Sequence, residues 1–503
     1  MLMISELEFQ ALAEQGYNRI PLVSTAFADL ETPLSLYLKL CGADGQGRFS
    51  FLLESVVGGE RFGRYSFIGL PARTVLRSAG LSTEISRDDV VIETHAGNPL
   101  NFIEAYQKRF KVALQPGLPR FCGGLAGYFG YDAVRYIEPK LARAEKPEKP
   151  EKPGGLNTPD VMLLQCEELA VIDNISGRLY LIVHADPAEP EAYAAAQQRL
   201  ATLRAKLSQP VAAPQVMPSP AQPVERDFAR ADYEAGVLRA KDYIAAGDCM
   251  QIVFGQRLKK RYTESPLSLY RALRSLNPSP YMYFYDMGDF QIVGASPEIL
   301  VRHERTANGA QQVTVRPLAG TRPRGATPEL DLALEAELKA DPKERAEHLM
   351  LIDLARNDIG RIAEIGSVRL TDAFAVERYS HVMHIVSNVE GTLREGLSAM
   401  DVFRAAFPAG TLSGAPKIRA MQIIDELEPV KRGVYGGACG YLSFAGDMDL
   451  AIAIRTGIVQ DQTLYVQAGA GIVADSVPEL EWQETEAKAR ALIRAAELVE
   501  EGF

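Results

Sequence analysis

The sequence predicts an α+β fold, in which mainly antiparallel β-sheets pack against helices. Strand-like runs follow one another in clusters, as at 161–174 (VMLLQCEELAVIDN) and 281–298 (YMYFYDMGDFQIVGASPE), and helical runs lie between the clusters. The regular β-α-β alternation typical of parallel sheets does not occur. With 503 residues, of which 47% are hydrophobic, the chain is long enough for more than one core.

The distribution of proline predicts the domain organisation. A segment rich in Pro and Ala at 208–224, SQPVAAPQVMPSPAQPV, favours extended backbone over helix or sheet. We therefore expect a β-rich N-terminal domain at 1–207, a linker at 208–224 and a second domain at 225–503. A Lys-Pro-Glu repeat at 145–154 predicts a solvated loop.

Charge and cysteine usage restrict the ligand class and the compartment. A formal net charge of −11 argues against binding to nucleic acid or to an anionic membrane surface. The five cysteines are scattered and form no C-x-x-C pair, which indicates free thiols in a reducing compartment and no zinc site. The N-terminus lacks the pattern of a signal peptide, and no run of about 18 apolar residues occurs, so we expect a cytoplasmic protein.

The segment DPKERAEHLMLIDLARNDIGR at 341–361 predicts a helix that carries a carboxylate in an unusual place. Asp341 can cap the first turn, and Glu344 completes a capping box. Glu347 lies one turn further in, beside the apolar stripe, where no N–H group needs a cap. From the residues alone, a salt bridge to a neighbouring helix is favoured over a metal or catalytic role, and both remain open.

A second carboxylate pair lies near the C-terminus, in SVPELEWQETEAKARALIRAAEL. Ser476 and Glu479 are spaced as a capping box, which places Glu481 and Glu484 one turn apart on a helix. An ion pair of Glu484 with Lys488 is the simpler interpretation. Two such glutamate pairs could also meet around a hard cation, and oxygen ligands suit Mg²⁺.

An anion pocket is predicted between the two pairs. The run at 448–473 indicates a hairpin that turns at Asp461-Gln462, with Arg455 alternating onto one face of its first strand. The guanidinium fork suits a carboxylate, and the glycines of Gly469-Ala470-Gly471 allow backbone N–H groups to approach an anion. A cross-strand ion pair and a β-bulge are the alternatives. His384 suits either proton transfer or a hydrogen-bonded core position.

A long series of motifs resembles the chorismate-utilising enzymes and covers essentially the whole chain after the linker. In order, these motifs are SPE (296–298), RPLAGTRPRG (316–325), EHLMLIDLARNDIGR (347–361), HVMHIVS (381–387), GTLSGAPK (410–417), GGACGY (436–441), AIAIRT (451–456), QAGAGIVADS (467–476) and the terminal E-x-x-E-T-x-x-K-A. The N-terminal half, with LLESVVGGERFGRYSFIG (52–69) and GGLAGYFGYD (123–132), is similar to the first component of anthranilate synthases.

The resemblance implies a role for each candidate residue in a chorismate-binding catalytic domain. Glu347 and Glu484, with Glu344 and Glu481 nearby, would hold Mg²⁺ against the ring carboxylate of chorismate. Glu298 would protonate the departing C4 hydroxyl, His384 would assist the elimination of pyruvate, and Thr411 would complete the catalytic set. Substrate contacts would come from Gly320, Thr321, Tyr435, Arg455, Gly469, Ala470, Gly471 and Lys488.

Two positions distinguish members of the family. Gln251 stands where isochorismate and salicylate synthases place a water-activating lysine, and Ala319 stands where aminodeoxychorismate synthases typically place a nucleophilic lysine. The resemblance therefore implies direct amination at C2 and formation of anthranilate, the first step of tryptophan biosynthesis. The alternatives are a 2-amino-2-deoxyisochorismate synthase, which stops at the aminated intermediate, and a non-catalytic regulatory subunit that binds tryptophan.

The resemblance also implies a partner and an inhibitor. No cysteine lies in a glutaminase-like motif, so we expect a separate glutamine amidotransferase subunit to supply ammonia. Ser55 and Pro280-Tyr281-Met282 match the positions where anthranilate synthases hold feedback L-tryptophan. The alternative is that the first is an ordinary strand edge and the second a packing motif.

Overall fold

The computed structural model describes residues 4–42, 47–55, 63–141, 156–306, 308–379 and 382–503. Within them, β-strands and α-helices follow each other in clusters, and the pairings between the named strands are antiparallel. The predicted α+β class is therefore confirmed. The Lys-Pro-Glu repeat lies outside the described residues.

The strands are numbered along the chain. They are β1 Ile20–Phe27, β2 Ser50–Glu54, β3 Tyr65–Gly69, β4 Thr74–Ala79, β5 Ser82–Arg87, β6 Val90–Ala96, β7 Gly124–Phe129, β8 Val161–Cys166, β9 Glu168–Asp173, β10 Arg178–Ala185, β11 Val224–Arg226, β12 Gln251–Arg261, β13 Tyr281–Asp286, β14 Phe290–Ser296, β15 Ile299–Arg305, β16 Gln311–Val315, β17 Leu318–Pro323, β18 Arg369–Arg378, β19 Val382–Thr392, β20 Gly414–Ala415, β21 Ala438–Ser443, β22 Met448–Ile452, β23 Thr456–Gln460 and β24 Thr463–Ile472.

The α-helices of the described residues are numbered in the same way. They are α1 Glu6–Glu14, α2 Pro33–Cys41, α3 Pro99–Gln107, α4 Ala192–Leu207, α5 Arg230–Ala245, α6 Pro266–Leu276, α7 Pro328–Ala340, α8 Pro342–Gly360, α9 Ala399–Ala406, α10 Lys417–Leu427 and α11 Pro478–Glu501. Short 3₁₀ turns lie at Tyr131–Tyr136, Pro139–Leu141 and Gly410–Leu412.

The strands form two sheets of twelve. The first has the order β1-β10-β9-β3-β2-β13-β14-β23-β24-β12-β11, with β20 paired to β12. The second has the order β17-β19-β16-β15-β22-β21-β7-β8-β4-β5-β6, with β18 paired to β19. The two sheets pack face to face over a core that takes Phe51, Phe67 and Tyr285 from the first sheet and Tyr128 and Tyr441 from the second.

Helices cover the outer faces of both sheets, so the molecule has four layers. On the first sheet, α2, α4, α6 and α11 bury residues such as Leu36, Leu200, Leu269 and Leu492. On the second, α3, α8 and α9 bury Ile103, Ile352 and Phe403 among others. These layers bury one face of each helix, which agrees with the mixed apolar and charged pattern of the helical runs.

Both sheets contain strands from both sides of the proline-rich segment. In the first sheet β2 pairs with β13, and in the second β7 pairs with β21. The segment 208–224 contains no helix, and only its last residue, Val224, belongs to a strand. The extended backbone follows from its prolines, and the division into domains at 1–207 and 225–503 stays a prediction.

Two helix starts differ from the predicted capping boxes. Asp341 caps α8 as expected by accepting N–H bonds from Lys343 and Glu344, but the Asp341 N–H donates to the Glu337 carbonyl of α7 and needs no glutamate side chain. The start of α11 is capped by Val477 without a side-chain bond, because the Ser476 hydroxyl instead accepts the Val473 N–H at 3.0 Å.

Cysteines and helix composition agree with the sequence analysis. All five cysteines are buried free thiols. Among the described residues, each helix is too short or too polar to cross a lipid bilayer.

Candidate active site

His384 of β19 lies at one side of the site, with its ring held by the neighbouring strand β17. Its Nδ1 lies 3.0 Å from the Gly320 carbonyl oxygen and 3.1 Å from the Thr321 hydroxyl oxygen. A carbonyl can only accept, so Nδ1 carries the hydrogen and Nε2 carries the lone pair. Burial, with smaller contributions from the charges of Arg455 and Lys488, lowers the pKa of His384 to about 4. The imidazole is therefore neutral at pH 7.

Glu298 lies in the connection between β14 of the first sheet and β15 of the second. It is buried, at 7% exposure, and the Thr411 hydroxyl contacts its two carboxyl oxygens at 3.3 and 3.4 Å. Burial raises the pKa of Glu298 to about 8, against smaller lowering effects of the Leu318 N–H, Thr411 and Lys488. At neutral pH this carboxyl is mainly protonated, as a general acid must be.

Arg455 lies in a second connection between the sheets, which corrects the expectation of a strand position. The run 448–460 is divided into β22 of the second sheet and β23 of the first, and Arg455 falls in the break with a φ of 51°. A positive φ is uncommon for a residue with a side chain and occurs often at functional sites. The predicted turn at Asp461 and Gln462 is present, with φ of 48° and 58°.

The two connections are hydrogen-bonded to each other. The Ile452 N–H donates to the Glu298 carbonyl at 3.0 Å, and the Ala295 N–H donates to the Arg455 carbonyl at 3.1 Å. The chain therefore passes between the two sheets twice at adjacent positions, and this arrangement places Glu298 and Arg455 on neighbouring loops. Sequence spacing does not show that relationship.

Tyr435, Lys488 and the glycines of β24 form the next part of the site. A Cβ added to Gly469 would lie 3.0 Å from the Tyr435 hydroxyl oxygen, and one added to Gly471 would lie 2.7 Å from the Gln251 amide nitrogen. The glycines are thus required for close side-chain approach, and both pair with β12 in the sheet, as does Ala470. Lys488 donates to the Gly469 carbonyl at 2.9 Å.

The first glutamate pair lies at the start of α8, against β17. A Cβ on Gly320 would lie 3.2 Å from Glu344 Oε2, which places this carboxylate next to the part of β17 that holds His384. Burial and the neighbouring charge of Glu347 raise the pKa of Glu344. The Gln251 amide donates to Glu347 Oε1 at 3.1 Å. Glu347 therefore faces the site and has no salt bridge among the described residues.

The second pair lies at the start of α11, and Lys488 forms the expected ion pair with Glu484 at 2.7 Å. Burial and, more weakly, the charge of Glu484 raise the pKa of Glu481, whereas the charge of Lys343 on α8 lowers it. Lys343 at the start of α8 therefore lies near Glu481 at the start of α11. Within each pair one carboxylate raises the pKa of the other, and a hard cation suits such oxygen donors. Among the described residues no three His, Cys, Asp or Glu side chains converge as a ligand set.

The two positions that distinguish family members also belong to this site. Gln251 begins β12 and contacts Glu347, as given above, and Ala319 lies on β17 beside Gly320. An amide cannot activate water as a base, and a methyl group cannot attack a ring carbon. Neither position supplies a nucleophile or a base.

The residues predicted to bind tryptophan line one pocket between the sheets. Ser55 follows β2, and Pro280, Tyr281 and Met282 lie at the start of β13, which pairs with β2. Four charged residues among those described line this pocket, and one of them, Glu54 on β2, precedes Ser55. The sequence did not indicate the other three, which come from distant segments and are Arg120, Arg302 and Asp449.

These charged residues form a connected group with Tyr281. Arg302 donates to Asp449 at 3.0 Å and to the Tyr281 hydroxyl at 3.1 Å, and Arg120 lies 3.2 Å from Asp449. Two guanidinium groups thus face Asp449, and Arg120 also lies 3.7 Å from Glu304. Guanidinium groups are the side chains best suited to a ligand carboxylate. Asp449 lies on β22, the strand that leads to Arg455.

Comparison with known proteins agrees with this architecture. The chorismate binding enzyme family matches residues 64–494. Anthranilate synthase component 1 of Neisseria meningitidis serogroup A / serotype 4A is 57% identical over 501 residues, 100% of both chains. The protein of the same name from Pseudomonas putida is 56% identical over 500 residues, 98% of each chain.

Solved structures give the same result. The crystal structure of anthranilate synthase component I from Streptococcus pneumoniae TIGR4 has a TM-score of 0.75 and 38% identity, covering 93% of this chain and 99% of that chain. The menaquinone-specific isochorismate synthase of Escherichia coli, at 18% identity and a TM-score of 0.68 over 97% of this chain and 98% of that chain, shares the fold alone. The chain therefore belongs to the chorismate binding enzymes, within the anthranilate synthase component 1 family.

Proposed function

We propose that this chain is the large, aminating subunit of an anthranilate synthase. The reaction converts chorismate and ammonia to anthranilate, pyruvate and water. The observation that carries the assignment at the site is Glu298, a buried carboxyl that stays protonated at neutral pH in a loop beside Arg455. The absence of lysine at Gln251 and Ala319 supports amination at C2 over the related reactions.

The reaction uses one proton transfer from Glu298 and one proton transfer to His384. Ammonia attacks C2, the ring double bonds shift, and the C4 hydroxyl leaves as water with the proton of Glu298, while the new ammonium group at C2 loses one proton to give the amine. In the second step loss of the C2 proton makes the ring aromatic and breaks the C3–O bond, and the enolate of pyruvate that leaves takes up a proton at its methylene carbon. Nε2 of neutral His384 has the lone pair that can accept the C2 proton, and Gly320 and Thr321 hold the ring in that tautomer.

The remaining residues bind and orient the substrate. Arg455 offers a guanidinium for one carboxylate, and Lys488 lies close enough to influence both Glu298 and His384. Tyr435 packs against Gly469 and closes the wall formed by β24 and β12. These groups hold chorismate with C4 toward Glu298.

We propose Mg²⁺ as the metal, held by Glu347 and Glu484 with Glu344 and Glu481 nearby. The fit rests on the position of these carboxylates at the starts of α8 and α11, where burial and, more weakly, a neighbouring carboxylate raise the pKa values of Glu344 and Glu481. A cation would stabilise the charged form of both groups. The ion would neutralise the ring carboxylate of chorismate, which would complete a ligand set that the described part of the chain does not complete alone.

A partner and an inhibitor belong to the same proposal. A separate glutamine amidotransferase subunit would supply ammonia, and the isolated chain would use free ammonia. L-tryptophan would bind the pocket of Ser55, Pro280, Tyr281 and Met282, in which the guanidinium groups of Arg120 and Arg302 also lie. Inhibition then requires two states of the protein with different affinities for tryptophan.

The test is the fluorescence of anthranilate formed by the purified chain from chorismate, Mg²⁺ and ammonium salt, repeated with EDTA and with tryptophan. We expect a signal that EDTA abolishes and tryptophan decreases. Loss of chorismate without fluorescence and without pyruvate would indicate a 2-amino-2-deoxyisochorismate synthase. Intact chorismate, together with saturable tryptophan binding, would indicate the regulatory subunit.

A further inference from the structure

A buried ion pair lies directly behind the proposed substrate site. Arg432 and Glu428 are 3% and 2% exposed, and their side chains form two bonds, Nε to Oε2 at 2.9 Å and Nη2 to Oε1 at 2.6 Å. Glu428 follows the last turn of α10, and Arg432 lies in the loop that leads to Tyr435. At this exposure water solvates the two charges very little, and each is stabilised mainly by the other.

The pair also binds three backbone groups on two separate stretches of the chain. Arg432 donates to the Leu412 carbonyl at 2.6 Å and to the Val253 carbonyl at 2.8 Å. Glu428 accepts the Gly255 N–H at 2.9 Å. The guanidinium therefore uses its planar fork to join the 3₁₀ turn at Gly410–Leu412 to β12.

Each of these stretches adjoins a residue of the site. Leu412 follows Thr411, which contacts Glu298. Val253 and Gly255 lie opposite Gly471 and Gly469 in the sheet. The guanidinium carbon of Arg432 also lies 5.6 Å from the centre of the Tyr435 ring. Arg432 therefore contacts the turn that carries Thr411, the strand β12 that pairs with the glycines of β24, and Tyr435.

We propose that the Arg432–Glu428 pair is a positioning element for the reaction, which fixes the Thr411 turn and Tyr435 relative to the β12–β24 wall. An apolar pair of similar volume would often be as stable as a buried ion pair, so stability alone does not account for the two charges. The inference rests on the proposed function, because it assigns the pair to that site.

The test is the double variant Glu428→Gln/Arg432→Met, which removes one charge of each sign and leaves the net charge unchanged. With the anchors of the Thr411 turn lost, we expect kcat/KM for chorismate to fall about 100-fold, the scale of a misplacement of about 1 Å. The melting temperature should change by no more than in the control, Lys260→Met/Glu500→Gln, which removes another buried ion pair on β12 and α11.

The pH profile gives a readout that a purely structural role would not change. The hydrogen bond from the Thr411 hydroxyl lowers the pKa of Glu298, so displacement of Thr411 should raise that pKa. The alkaline limb of kcat should therefore move to higher pH in the double variant, in the same direction as in Thr411→Val. The control pair should leave the limb in place.

The outcomes separate this inference from the proposed function. A wild-type chain that forms no anthranilate refutes the function. An active wild type with a folded double variant whose kcat/KM and alkaline limb are unchanged refutes the positioning role. If the double variant does not fold, Arg432→Lys serves instead, because an ammonium keeps the charge and loses the fork. A wild-type kcat/KM and alkaline limb in that variant refute the inference too.

Discussion

The hydroxyl of Thr411 lies 3.3 and 3.4 Å from the two carboxyl oxygens of Glu298, and it is the contact that ties the 3₁₀ turn at Gly410–Leu412 to the proposed general acid. The turn is fixed from behind by Arg432, as described above. The contact therefore connects the proposed proton donor, Glu298, with a turn that the buried ion pair of Arg432 and Glu428 holds in place.

Activity should fall on the alkaline side as Glu298 loses its proton. The group acts as an acid, so the active form exists below its pKa, which burial raises to about 8. We expect kcat to fall as pH rises through about 8. Glu298→Gln should lower kcat by about 10²- to 10⁴-fold and remove that limb from any residual activity. Stopped assays of anthranilate from pH 6 to about 9.5 would measure both, and an unchanged limb in the Gln variant would assign it to another group.

His384→Ala should separate the two chemical steps. Loss of the base slows elimination of pyruvate more than amination, so the aminated intermediate should accumulate and be detectable by chromatography. Because the pKa of His384 is about 4, the wild type should show no acid limb from this residue between pH 5 and about 7. Weak chorismate binding without accumulation of the intermediate would contradict the assignment.

Removal of carboxylate oxygens should raise the Mg²⁺ requirement. Glu347→Gln and Glu484→Gln each replace a negative ligand with a neutral amide, and we expect the Mg²⁺ concentration for half-maximal activity to rise by at least about tenfold. Glu395→Gln, at an exposed position away from both pairs, is the matched control and should behave as the wild type. Titrations at saturating chorismate would decide, and equal Mg²⁺ curves for all three variants would remove the metal assignment.

Substitutions in the pocket between the sheets should decrease feedback inhibition without loss of catalysis. Ser55→Phe adds bulk where the pocket opens beside β2, and the tryptophan concentration for half inhibition should rise by more than about tenfold. Uninhibited kcat should be retained, since the described residues that line the pocket of Ser55 include none of the proposed catalytic groups. Isothermal titration with L-tryptophan measures binding directly. Wild-type affinity in this variant would place the tryptophan site elsewhere.

Local chemistry was predictable from the sequence where one segment determines it. The cap at Asp341, the left-handed turn at Asp461 and Gln462, and the strand clusters follow from residue type and spacing. The loop position of Arg455 was not predictable, because β22 and β23 form one apolar run in the sequence. In the structure β22 belongs to the second sheet and β23 to the first, and Arg455 lies between them. Nothing in the local sequence marks that change of sheet.

The contacts of Arg432 and Glu428 were not predictable from the sequence for the same reason. Arg432 and Glu428 are four residues apart, which suggests a surface helix pair, yet the chain leaves α10 at Glu428 and turns both inward. Their carbonyl partners at Leu412 and Val253 come from elements that only the tertiary fold brings together. The resemblance to chorismate-utilising enzymes indicated the residues proposed to touch substrate, and it gave no information about this support.

The pairing of β2 with β13 and of β7 with β21 has a consequence for how the chain is made. Leu53 lies opposite Tyr283, and Gly127 lies opposite Gly440, so each strand emerges from the ribosome long before its partner is synthesised. Until then its open hydrogen-bonding edge is free to join other chains. Closing such long loops is slow. The second sheet is not complete before β22 has been translated, and the first is not complete before β24 has been translated. Assembly of the two sheets is thus a late event in translation.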